Sequence, residues 1–120
     1  MTLLLAFAAL VAPDAMPALE AVKTCNRAEI RRLINAEPHR RAEFATAAYE
    51  RQRAIADARA ALVALPPADP AAPPNPAFAA LDTQQRALDD ARALERAWRE
   101  LFDEVRADFL SNCNANRTDH

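Results

Sequence analysis

The chain has no glycine in its 120 residues, and this gap excludes more than any residue present suggests. Phosphate-cradling loops, dinucleotide-binding turns and nucleophile elbows place glycine where the backbone takes positive φ or closely approaches a ligand. Those function classes drop out. Two-residue β-hairpins also favour glycine, and no window alternates apolar with polar residues for long, so a β-rich fold has no support. Aromatic residues are scarce at 6%. Serine occurs once, at Ser111, with no histidine close enough in sequence to suggest a triad. A net charge of −2 removes the electrostatic argument for nucleic acid or an anionic membrane as partner.

What the chain does have is alanine. Apolar residues make up 52%, but thirty-one residues are alanine, which favours helix and fills a core poorly. Fourteen of the fifteen basic residues are arginine, an imbalance associated with GC-rich bacterial genomes.

The longest apolar run is the ten residues from Leu3 to Ala12, followed by Pro13, Asp14 and Pro17 and by the small residues Ala15, Ala18 and Ala21. Ten residues cover about 15 Å as helix, roughly half a bilayer core, too short for a permanent span. The pattern is that of a secretory leader and its cleavage zone, although no Lys or Arg precedes the run. Residues 1–21 are therefore expected to be a cleaved signal peptide, and the mature protein is expected in the periplasm or outside a bacterial cell. Val22, Lys23 and Thr24 do not form a lipid-attachment box before Cys25.

Cys25 and Cys113 are the only two cysteines, which leaves a single connectivity in an oxidising compartment. Their spacing of 88 residues is not that of a dithiol redox catalyst.

The periodicity is helical. Asn26 followed by Glu29 reads as a capping box. From there, alternating steps of four and three select Ile30, Ile34, Glu37, Arg41, Phe44, Ala48, Arg51, Ile55, Ala58, Leu62 and Leu65 as a coiled-coil-like seam. Interior proline removes a hydrogen bond, so a first helix over 26–65 is expected either to kink at Pro38 or to stop near Asn35 and restart. Six prolines within residues 66–76 form the connector, and Asn75 with Pro76 opens a second helix over about 77–112. The tail, 114–120, is polar and short and reads as disordered.

The expected fold is thus all-α: an antiparallel two-helix hairpin over residues 22–113, closed at its open end by Cys25–Cys113. At 1.5 Å per residue the two arms span about 60 and 54 Å, which brings the cysteines to the same end. Residues 26–65 carry net +3 and residues 77–112 net −3. Aligning positions that sum to 139–141 opposes Arg31 to Asp108, Arg40 to Glu100 and Arg59 to Asp82. It also opposes Glu37 to Asp103, and attractive and repulsive pairs tie, so charge does not set the register.

No catalytic, cofactor-binding or metal-binding residues are assigned. His39 and Glu43 share a helix face, but zinc needs three or four ligands and the other histidine is the terminal His120. Asp89 with Asp90, and Asp103 with Glu104, are neighbours whose side chains diverge by about 100° on a helix, so they do not pair for acid–base work. The arginines at 31, 32, 40, 41, 51 and 53 are offset by Glu29, Glu37, Glu43 and Glu50. A two-helix hairpin cannot cover both apolar stripes of its second helix, and Leu94, Trp98, Leu101, Phe102, Val105 and Phe109 are therefore the candidate partner face. The sequence points to an exported, non-enzymatic interaction or structural protein that pairs with itself or another protein. The alternative is a small enzyme or a ligand- or metal-binding domain with a site at a dimer interface.

Overall fold

The computed structural model describes residues 9–113. Most of the apolar run before Ala9 and the whole 114–120 tail lie outside the described residues. The chain forms α1 (Met16–Lys23), α2 (Arg27–Val63), α3 (Pro76–Asp108) and a π-helical turn, Phe109–Cys113. The fold is all-helical, with no strand among the described residues. The expectation of two helices is corrected to three, because α1 arises within the stretch read as a cleavage zone. Together the helices make a rod of 79 × 24 × 17 Å.

α1 exists because its ends are supported and one face has somewhere to pack. Asp14 Oδ1 accepts the Met16 N–H at 3.0 Å, and Pro17 supplies a first-turn residue that needs no donor. At the other end, Cys25 N–H donates to Val22 O at 3.2 Å and Asn26 N–H to Ala21 O at 2.8 Å. This pair is the Schellman pattern, whose first residue past the cap takes left-handed φ and is usually glycine. Here it is Cys25, at φ 51°. A chain without glycine has put its bridging cysteine at the one left-handed position among the described residues.

Asn26 caps α2 through Glu29 N–H at 3.2 Å. The reciprocal arm of the expected capping box is not made: the Glu29 carboxylate pairs with Arg32, and the Asn26 N–H is already engaged by α1. α2 then runs through Pro38 as one continuous helix, so of the expected kink or break the break is corrected. Pro38 is exposed, so its missing donor opens the hydrogen-bond ladder toward water, while the buried residues on either side hold the helix together.

The connector uses Asp69 to make its turn, with the Ala71 N–H on Asp69 Oδ1 at 2.9 Å and the Ala72 N–H on its carbonyl at 2.8 Å. Asn75 caps α3 through the Ala77 N–H at 3.0 Å, with Pro76 as the first helical residue. α2 and α3 lie antiparallel, as shown by Arg59 on Asp82 (2.8 Å) near the connector and by the disulfide at the far end. Along α3 and into the π turn the buried residues Leu81, Leu88, Glu95, Phe102 and Phe109 recur every seven residues, with Trp98 and Val105 between them.

Two apolar clusters result. Phe44, Ala48, Ile55, Leu81 and Leu88 form one toward the middle of the rod. Ala18, Ala21, Ile30, Trp98, Phe102, Val105, Phe109 and Cys113 form the other, at the disulfide end, where three helices meet. Toward the connector the seam loosens: Ala58 is exposed, Leu62 half-buried and Leu65 exposed.

Cys25 and Cys113 are bonded with sulfur atoms 2.07 Å apart and Cα atoms 5.5 Å apart. Val105, Phe109 and Cys113 are all buried. Two successive steps of four on an α-helix would swing their direction by about 80°. The wider π turn reduces that drift and keeps Cys113 aimed at Cys25. Arg27 Nη2 donates to the Cys113 carbonyl at 3.2 Å and covers that end.

Candidate functional site

Of the six residues expected to form a partner face, the structure buries Trp98, Phe102, Val105 and Phe109 inside the chain, at 5–9% exposure. The missing cover is α1, whose Ala18 and Ala21 pack against them. Leu101 is half-buried against the same cluster, and Leu94 alone is left exposed, at 58%. Leu94 borders an open groove of about 440 Å³, floored by Ala87, Leu88 and Ala91 and walled by Leu10–Ala12 and Arg51. The lining is largely apolar.

Between the two apolar clusters lies a buried charge cluster. Glu37 and Glu95 are 5% and 3% exposed. Arg40 reaches across the helix pair as a fork, Nη1 to Glu95 Oε1 at 2.8 Å and Nη2 to Glu95 Oε2 at 2.9 Å, while its Nε bonds Glu37 on its own helix. Arg41 Nε adds a 2.8 Å bond to Glu37, and Arg99 Nε a 2.6 Å bond to Glu95. The Trp98 indole N–H donates to both Glu37 oxygens, at 2.9 and 3.1 Å. Both guanidinium groups stack near rings, Arg40 5.7 Å from the Trp98 centroid and Arg41 5.7 Å from that of Phe102.

This arrangement explains why a surface charge count did not yield the register. The trial alignment set Arg40 opposite Glu100; the structure pairs it with Glu95, because buried, bidentate charge pairs outweigh exposed ones. Gln52 and Gln85 repeat the principle without charge, exchanging amide bonds at 2.8 and 3.0 Å. Neither Glu95 nor the glutamine pair was singled out from sequence. The seven-residue spacing from Leu81 to Phe109, which passes through Glu95, was the available signal.

Burial by itself would raise the affinity of Glu37 for protons, but Arg40, Arg41 and Trp98 outweigh it and hold the carboxyl below its usual value of 4.5. Burial is likewise outweighed at Glu95, by Arg40 and Arg99, with the same direction. For Arg40 burial acts downward and the two glutamates prevail, keeping it protonated. Both carboxyls thus bind protons less readily folded than unfolded. Their stabilisation is complete above the unfolded value of 4.5 and is lost as pH falls through the lower folded values. Thermal unfolding followed from pH 7 downward is expected to show a level Tm to about pH 5 and a fall below it. A Glu37→Gln, Glu95→Gln variant is expected to lose most of that acid-dependent fall.

The other candidates stay apart. His39 Nε2 lies 2.8 Å from Glu43 Oε1 on an exposed face, and His120 lies outside the described residues. No group of three or more His, Cys, Asp or Glu side chains converges as a metal site among the described residues. Asp89 serves Gln85 at 3.1 Å, and Asp103 lies 3.7 Å from Arg41. Among the described residues no helix is long and apolar enough to cross a membrane. Compared with protein-family models, curated proteins and solved structures, the chain matches none.

Proposed function

We propose that this chain is an exported, disulfide-clamped helical rod that acts by binding, in the periplasm or outside the cell, with a second copy of itself as the simplest partner. The observation that carries this reading is the bridge between residues 88 apart, with Cys113 only 2% exposed. Such a bond forms and persists in oxidising compartments. A structural rather than catalytic role suits the buried ionisable groups, since Glu37, Arg40 and Glu95 are taken up by one another and by Trp98, Arg41 and Arg99. A rod this narrow also leaves large apolar side chains in water, among them Tyr49 at 64%, Leu94 at 58% and Val63 at 72%. Leu94, with Ala87 and Ala91 beside it on α3, is the surface that pairing would cover.

Fractionation of the native cell is expected to place the protein outside the cytoplasm, with both thiols blocked to alkylation. A cytosolic product with two reactive thiols would overturn the export reading. Light scattering across a hundredfold range of concentration is expected to show the mass doubling, and Leu94→Glu is expected to hold the protein at monomer mass. A wild-type monomer throughout that range would refute self-association.

A further inference from the structure

We infer that leader processing stops short of α1: the cut lies between Leu10 and Met16, and Met16–Lys23 remains in the mature protein as the segment that seats the disulfide. The inference rests on the export reading above and moves the end of the leader upstream of residue 21.

Three observations support it. Ala18 is 1% exposed and Ala21 3%, both within the cluster that holds Ile30, Trp98, Val105 and Phe109. Loss of α1 would open that cluster to water, so a chain cut at residue 21 would expose its largest aromatic side chains. The carbonyls of Ala21 and Val22 also accept the two backbone bonds that hold Cys25 at φ 51°. Non-glycine residues avoid that conformation without such support. Cys113 Sγ approaches the Val22 carbonyl at 3.7 Å, so α1 contacts both halves of the bridge.

The stretch before α1 is irregular and less buried. Residues 11–15 have no helical backbone, Val11 is 63% exposed, and Ala12 and Ala15 each offer a small residue for the position just before a cut. Irregular, exposed backbone is where proteases cut. A cut within residues 11–15 removes no buried residue among those described, whereas a cut beyond Lys23 takes Ala18 and Ala21 out of the core.

The test uses the full chain with its own leader, produced in a bacterial host and recovered from the periplasm. Intact mass and amino-terminal sequencing are expected to find the first residue between 11 and 16, with the bridge formed. A folded, bridged product beginning at residue 17 or later would overturn the cut while leaving export intact. An uncut product beginning at Met1 would overturn both the cut and the export reading.

A second readout does not depend on where the cut falls. Ala18→Leu, which overfills the core, is expected to lower the Tm of the recovered product by roughly 5–15 °C, and the milder Ala21→Ser by about 4 °C. A residue discarded with a leader cannot affect the stability of what remains. Unchanged Tm in both variants would show that α1 is no part of the mature fold.

Discussion

Replacing Cys25 and Cys113 together by serine is expected to remove about 4–5 kcal/mol of stability, the loop-closure entropy that the unfolded chain regains when a closure of this length is released. For a domain of roughly 100 residues that corresponds to a Tm lower by about 20 °C. Net stabilities of 5–15 kcal/mol are usual, so the loss is a large share of the whole. The physical reason is the shape of the molecule. A rod 79 Å long and 17 Å thick buries little per residue, and the only other covalent link between its two long helices is the connector. Urea denaturation of oxidised wild type against the double variant measures the difference directly. A loss below about 1 kcal/mol would mean that packing of α1, α2 and α3 alone holds that end closed.

A companion variant separates the bridge from the backbone beneath it. Cys25→Gly combined with Cys113→Ser also lacks the bond, yet relieves the left-handed conformation at position 25. It is expected to be about 1 kcal/mol more stable than the double serine variant. Equal stabilities would show that the turn at Cys25 relaxes once the bond is gone.

Removing Arg40 is the second large effect. Arg40→Met leaves Glu95, 3% exposed, without its bidentate partner and deprives Glu37 of one of two arginines. Deleting one member of a buried ion pair costs about 3–5 kcal/mol, because the remaining charge stays in a poor dielectric. Here Arg41 and Arg99 still reach the carboxylates, so about 3 kcal/mol is expected, at the lower end of that range. The loss should shrink at pH 3, where the freed carboxylates take up protons. A loss independent of pH would show that the side chain contributes through its stacking on Trp98 rather than through its charge.

Replacing Glu37, Arg40 and Glu95 together by leucine or methionine is expected to behave differently. Matched apolar residues often equal or exceed a buried ion cluster in stability. The cluster's contribution is then to alignment: it accepts one pairing of α2 with α3, whereas a leucine seam tolerates several. The Trp98 N–H would also lose its acceptor in that variant, which sets a limit on how far stability can rise.

Several elements were legible because their causes are local. Asn26 and Asn75 announce their helices by side-chain geometry that operates within three residues. The proline-rich segment cannot continue a helix whatever surrounds it. The agreement of two arm lengths was enough to bring Cys25 to Cys113, since a helix advances by a constant rise. The break expected at Pro38 is absent for the converse reason. The proline's local cost is real, but flanking contacts from Ile30, Glu37 and Phe44 to α3 carry the helix across it.

The face of α3 shows the same division. Trp98, Phe102, Val105 and Phe109 were expected on a partner face, and α1 packs against them within the chain. What covers them could not be read from that periodicity, because Ala18 and Ala21 resemble any leader residues until a cluster closes over them.

Composition and spacing alone determined an all-helical chain, the capped starts of its two long helices, the place of the turn between them and the pairing of its cysteines, all consequences of short-range sterics and constant helical rise. Only the tertiary structure decided that α1 is the third wall of the core, that Arg40 meets Glu95 rather than Glu100, and that Leu94 alone among the six face residues is left largely in water. Those outcomes depend on which side chains are withdrawn from solvent together, and burial is a property of the assembled fold rather than of any one segment.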